Sequence, residues 1–127
     1  MTPAYAVPLR AVEHLEVVPD ADGFTVTARV YIDPDHPILR GHFPGLPLYP
    51  GVFIVETLCQ AMAEAFPHRP ELLAVRSLRL TAPLHGGDEL TLDIKVKPQD
   101  GGWTAKAKGH RRDGIAVATV WATFGGA

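Results

Sequence analysis

The chain has 127 residues, 46% of them hydrophobic, a formal charge of −2 and one cysteine, Cys59. That size suits one compact domain with a real core. The near-balanced charge removes the broad electrostatic case for nucleic acid, and a lone cysteine excludes an intrachain disulfide framework or a Cys-rich zinc site. In chain order, residues 1–8 are rich in Pro and Ala and are expected to be poorly ordered, with a single domain over 9–127. "MTPAYAVPLR" lacks the basic start and apolar stretch of a secretory leader, which together with the free thiol fits a cytoplasmic protein. "LRAVEHLEVV" is compatible with a strand or a short helical piece. "DADG" reads as a hairpin turn. "FTVTARVYI" alternates, with Phe24, Val26, Ala28, Val30 and Ile32 on one face and Thr25, Thr27, Arg29 and Tyr31 on the other, the pattern of a half-buried strand.

From Asp33 to Pro50 the chain reads as loop, stiffened by Pro34, Pro37, Pro44, Pro47 and Pro50. Gly51 to Phe66 is predicted as a helix, punctuated by Pro50 and Gly51 at its start and stopped by Pro67. Its apolar residues (Val52, Phe53, Ile54, Val55, Leu58, Cys59, Met62, Phe66) run most of the way round, which predicts burial. Glu56, Gln60 and Glu64, with Thr57 beside them, form a polar line. This stretch is a poor membrane span, because that line interrupts it. Beyond it, "LLAVRSLRL", "ELTLDIKVK", "WTAKAKGH" and "IAVATVWATF" read as strands, separated by "PLHGGD", "PQDGG" and "RRDG" turns. The fold class is therefore α+β, one long helix with an antiparallel sheet of five or six strands.

The residues with chemical potential cluster around the helix start. His42 sits in a loop already restricted by prolines, so a base there would be stiffly held. Gly51 opens the helix, where unpaired backbone N–H groups and the positive end of the dipole suit a developing oxyanion. Glu56 follows one turn later, and partial burial would keep its carboxyl protonated, fit to donate a proton. By pattern alone, Gly51 also reads as an ordinary helix start and Glu56 as one residue of a solvated line. Together, a base, an acid and an oxyanion site suit removal of a proton beside a carbonyl with loss of a group from the neighbouring carbon. No metal motif, nucleophile elbow or phosphate loop is present.

"GHFPGLPLYPGVFIVETLCQA" resembles the H-F-P-G-x-P-x-x-P-G-V-x-x-x-E-x-x-x-Q signature of the hot-dog-fold, FabZ-like (3R)-hydroxyacyl-acyl carrier protein dehydratases. His42, Phe43, Pro44, Gly45, Pro47, Pro50, Gly51, Val52, Glu56 and Gln60 all match. "SLRLTAPLHGGDEL" is similar to the segment that follows the helix in that family, through Arg79, Pro83, Gly87 and Asp88. Ala82 and Gly86 depart from its usual arginine and proline, and Tyr49 replaces a common methionine. The resemblance implies a sheet wrapped round a central helix. It implies dimers with joined sheets, trimers of dimers in many relatives, and His42 of one subunit facing Glu56 of the other. It further implies a substrate carried on the phosphopantetheine of an acyl carrier protein, no other cofactor and no metal. Catalysis would fall to His42 and Glu56, with Gly51, Gln60, Phe43, Tyr49 and Val52 binding substrate or oxyanion. The departures suit a specialised polyketide- or polyene-type pathway as well as fatty-acid synthesis. A glutamate, rather than the aspartate of the isomerising FabA-like branch, favours plain dehydration. An acyl thioesterase that uses Glu56 to activate water, and a carrier-binding or heterodimeric partner of another subunit, are the rival readings. Arg69, Arg76, Arg79, Arg111 and Arg112 are the candidate contacts to an acidic carrier.

Overall fold

A computed structural model describes residues 11–36 and 51–126. Six antiparallel strands form one sheet: β1 (His14–Asp20), β2 (Gly23–Tyr31), β3 (Glu71–Leu80), β4 (Glu89–Gln99), β5 (Gly102–His110) and β6 (Ala116–Gly125). Their spatial order is β1-β2-β4-β5-β6-β3. Among the described residues one helix, α1 (Gly51–Ala65), lies between β2 and β3 in the chain and packs on one face of the sheet.

Alternation explains the sheet's core face. Val26, Ala28, Val30 and Ile32 are buried from the β2 side, and Leu90, Leu92, Ile94 and Val96 from β4. β5 adds Ala105 and Ala107, and β6 adds Ala118, Val120, Ala122 and Phe124. The two-residue period of a strand puts each set on one face. The β1–β2 connection is the tight turn expected at Ala21–Asp22, where the Asp20 carboxylate accepts from the Asp22 N–H. That bond, with the Thr25 hydroxyl and the Lys95 ammonium nearby, holds the Asp20 carboxyl below its usual range. At the β5–β6 turn the Arg111 guanidinium donates to Asp113 and to the Pro83 carbonyl, and Asp113 accepts from the Ile115 N–H. These bonds, led by that from Arg111, lower the Asp113 carboxyl's pKa. Arg111 is therefore a fastener of this turn rather than a free contact for a carrier.

The helix differs from its predicted burial. Its sheet-facing side, Ile54, Thr57, Leu58, Ala61 and Met62, is buried. The other side is open: Val52 is 64% exposed and Glu56 is exposed. The sheet covers one face only, so an apolar majority in the sequence does not enclose the helix within one chain. Thr57 also leaves the polar line. It is fully buried, and its hydroxyl donates to the Phe53 carbonyl one turn back, so it needs no water. At the C-terminal end, Phe66 stacks on Trp103 and meets Phe24 edge-on, which ties α1 to β5 and β2.

Candidate active site

The described part of the candidate site lies along the open side of α1. Gly51 starts the helix, and a Cβ placed there would sit 2.9 Å from Leu80 Cδ1. A side chain at this position would have to displace the Leu80 side chain, so the glycine lets Leu80 lie against the helix start. Val52 is the next residue and faces outward. Glu56 stands one turn on, at i+4 from Val52, and Gln60 one further turn on. His42, Phe43 and Tyr49 lie outside the described residues.

Gln60 links the acid to the rest of the fold. Its Nε2 donates to Glu56 Oε1 at 3.0 Å, and its Oε1 accepts from the Ala11 N–H at 2.9 Å. A backbone N–H can only donate, so it fixes which end of the amide faces it. The NH2 group must then point at Glu56, and Oε1 of that carboxyl must be the acceptor. Ala11, fully buried, is thus the backbone peg that sets the direction of the Gln60–Glu56 bond. A backbone contact 49 residues away in sequence leaves no mark in a motif. Leu80, which shapes the space beside Gly51, is likewise invisible to motif reading.

Glu56 is exposed within one chain, so the partial burial expected from its apolar neighbours is not supplied by the chain itself. Cys59, half-buried beside it, behaves differently. Burial, helped by the charge of Glu56, pushes its thiol from 9.0 up to about 11. The thiol is therefore protonated at neutral pH and is no nucleophile there. A separate groove of about 830 Å3 on the outer face of the sheet, near Lys95, Lys106 and Trp121, is lined by none of the motif residues. It is a depression in the strand surface, and the arrangement around Glu56 is the better candidate site. Among the described residues, no group of three or more His, Cys, Asp or Glu side chains could hold a metal, and no helix is long and apolar enough to cross a membrane.

A six-stranded antiparallel sheet holding one helix, with a carboxylate on the helix's open side after an H-F-P-G-x-P-x-x-P-G motif, defines a FabZ-like hot-dog dehydratase. Residues 18–117 match the family described as ApeI-like, ApeI dehydratase, and the chain belongs to that family. The 3-hydroxyacyl-acyl carrier protein dehydratase FabZ of Myxococcus xanthus is 35% identical over 116 residues, covering 82% of this chain and 72% of that protein. The FabZ of Symbiobacterium thermophilum is 33% identical over 81 residues, and this match covers 58% of the chain but only 57% of the relative's length. Among solved structures, the dehydratase heterocomplex ApeI:P from Xenorhabdus doucetiae shares the fold, with a TM-score of 0.70 at 21% identity. That match covers 87% of this chain and 93% of the other.

Proposed function

We propose that the protein dehydrates (3R)-3-hydroxyacyl thioesters on an acyl carrier protein to trans-2-enoyl thioesters, in fatty-acid or polyketide- and polyene-type chain synthesis in the cytoplasm. The observation that carries this reading is the Glu56 carboxyl, held by Gln60 on the open side of α1 four residues after the matching P-G-V run ends at Val52. Family membership and the named activity of the FabZ relatives support it.

In this reading His42 takes the proton from the substrate's Cα. The electron pair forms the Cα–Cβ double bond as the Cβ–O bond breaks. Negative charge that builds on the thioester oxygen is met by the Gly51 N–H at the positive end of the helix. Glu56 gives its proton to the departing hydroxyl, and water leaves. Gln60 donates to Oε1, so the transferable proton belongs on Oε2. Phe43, Tyr49 and Val52 would line the acyl path. The substrate brings its own phosphopantetheine arm, and no other cofactor takes part.

Two features support a site completed by a second hot-dog chain, with His42 of one subunit beside Glu56 of the other. Glu56 lies on the side of α1 that its own sheet leaves uncovered. The neighbouring β3 is the outer strand of the sheet and shows apolar residues to solvent. Covering that side would take Glu56 out of bulk water and into the shared site. The test is appearance of the conjugated enoyl thioester, by absorbance, from 3-hydroxyacyl thioesters of several chain lengths. Wild type is expected to be active and His42→Ala nearly inactive. Equal rates for the two, or release of free thiol in place of enoyl product, would sink the assignment.

A further inference from the structure

The chain has four lysines, Lys95, Lys97, Lys106 and Lys108, and all four line one groove of about 830 Å3 on the outer face of the sheet. Alternation puts them there. Ile94, Val96, Ala105 and Ala107 are buried in the core, so the lysines beside them on β4 and β5 point away from it. Register then gathers them. Lys95 pairs with Lys106, Lys97 with Thr104 and Lys108 with Asp93. The result is a staggered stripe, with the two lysines of each strand about 7 Å apart. Trp121 pairs with Lys106 from β6 and is 44% exposed, and Lys106 Nζ lies 5.1 Å from the centre of its ring. Lys95 and Lys97 stand loosely against Asp20 and Asp22, at 3.9 and 4.0 Å. Among the described residues, Lys106 and Lys108 have no ion pair within the chain. The remaining residues, with eight Arg against 14 Asp and Glu, carry a formal −6. An otherwise acidic chain thus gathers every lysine in one place.

We propose that this lysine stripe docks an acidic α-helix of a partner protein, with Trp121 as the apolar contact, at a place separate from the Glu56 site. Like charges directly opposed across two strands destabilise the pair. The Lys95–Lys106 pairing therefore carries a cost that a bound carboxylate relieves. Spacing favours a helix: carboxylates at i and i+4 stand about 6 Å apart along its axis, close to the interval between lysines on one strand. The sign pattern favours protein over a polyanion. Asp20, Asp22 and Asp93 line the same groove. A nucleic-acid backbone or an anionic bilayer is negative throughout and would meet these carboxylates, whereas a protein helix sets neutral or basic residues against them. Opposite charge steers two proteins together, and an exposed tryptophan is the kind of anchor on which such interfaces rely. Location separates this surface from substrate delivery. α1 and Glu56 lie on the other side of the sheet, so a helix on the stripe leaves the open side of α1 free.

The experiment is titration of the full chain, at low ionic strength, with an alanine-based synthetic helix that carries Glu at every fourth position. Binding is read from Trp121 fluorescence, and the signal is expected to vanish in Trp121→Phe. Wild type is expected to bind this helix, to release it as salt is added, and to ignore the same helix with Lys in place of Glu. The double variant Lys106→Glu/Lys108→Glu is expected to bind the acidic helix roughly tenfold or more weakly. It should also gain affinity for the Lys-bearing helix, which a misfolded variant would not. Arg69→Glu/Arg112→Glu, with the same change in net charge away from the groove, should bind the acidic helix like wild type. No Trp121 response, equal loss in both double variants, or tighter binding of an oligothymidylate strand or phosphatidylglycerol vesicles would overturn the proposal. Enoyl formation is measured in parallel. In Lys106→Glu/Lys108→Glu the KM for a hydroxyacyl carrier-protein substrate should stay within about twofold of wild type. A KM that rises in step with the loss of helix binding would make the stripe part of substrate delivery and overturn a separate partner. Helix binding needs no turnover, so an inactive wild type refutes the proposed function and leaves this surface standing.

Discussion

β4 and β3 are both apolar strands of the same sheet, and they end in opposite states. β4 alternates cleanly: Leu90, Leu92, Ile94 and Val96 are fully buried, and the residues between them are partly or fully open to water. β3 carries as many aliphatic residues, yet hardly one of its positions is covered. The difference is position. β4 has neighbours on both sides, β2 and β5, and the helix side of the core above it, whereas among the described strands β3 borders only β6. The helix divides in the same way, with Leu58 and Met62 facing the sheet and Val52 and Glu56 facing out. One half of the molecule spends its apolar surface on its own stability. The other half leaves apolar surface and an acid open, which in the proposed reading serve a partner and a substrate, and such open edges are otherwise a liability.

Substituting one residue on each side should separate activity from stability. Glu56→Gln, on the open side, is expected to lower the dehydration rate by about 100- to 10,000-fold, as for loss of a positioned proton donor. Its thermal unfolding midpoint should stay close to that of wild type, because an exposed side chain is replaced by one of the same shape. Leu92→Ala, on β4, is expected to do the reverse. It opens a cavity in a closed core and should cost about 2–5 kcal/mol in denaturant unfolding, with little change in rate per folded molecule. If Leu92→Ala cost no more than an exposed substitution, the division of labour argued here would be wrong.

Leu78→Ser, on β3, sharpens the contrast between strands. In a diluted, monomeric sample it should change stability by no more than about 0.5 kcal/mol, while the dimer measured by sedimentation should weaken clearly. A further expectation concerns Cys59, on the border between the two halves. Its folded pKa, about 11, lies above its ordinary value of 9.0. The native state therefore holds the thiol proton more tightly than the unfolded chain. That contribution to stability is complete below pH 9 and is lost as pH rises through about 11. At pH 8, alkylation of the native thiol should run about 100-fold slower than in the unfolded chain, matching the smaller thiolate fraction. Equal alkylation rates would contradict the burial of this side of the helix.

The same contrast decides how much could be read from sequence. β2 and β4 were legible because one face is buried and the other wet, which writes a two-residue period into the chain. The helix was legible from Pro50, Gly51 and Pro67, and its observed end, Ala65, falls one residue short of the predicted Phe66. β1 left strand and helix unresolved because most of its residues are exposed on both faces, so no period is imposed. β3 hid its alternation behind two bulges, which turn a spacing of two into a spacing of three. At the site, the motif pointed to Glu56, Gln60, Gly51 and Val52. It could not show that Gln60 is oriented by the Ala11 N–H, that Leu80 fills the space beside Gly51, or that Thr57 turns inward. Those depend on which chain segments meet in space.

If each site is built from two chains, two variants that are inactive alone should complement one another when mixed. His42→Ala and Glu56→Gln are each expected to be nearly inactive alone. Random mixing of two-fold dimers puts one intact site in half of the dimers, so the mixture should recover about a quarter of the wild-type rate. A mixture that forms mixed dimers by mass and yet recovers no dehydration would contradict the account.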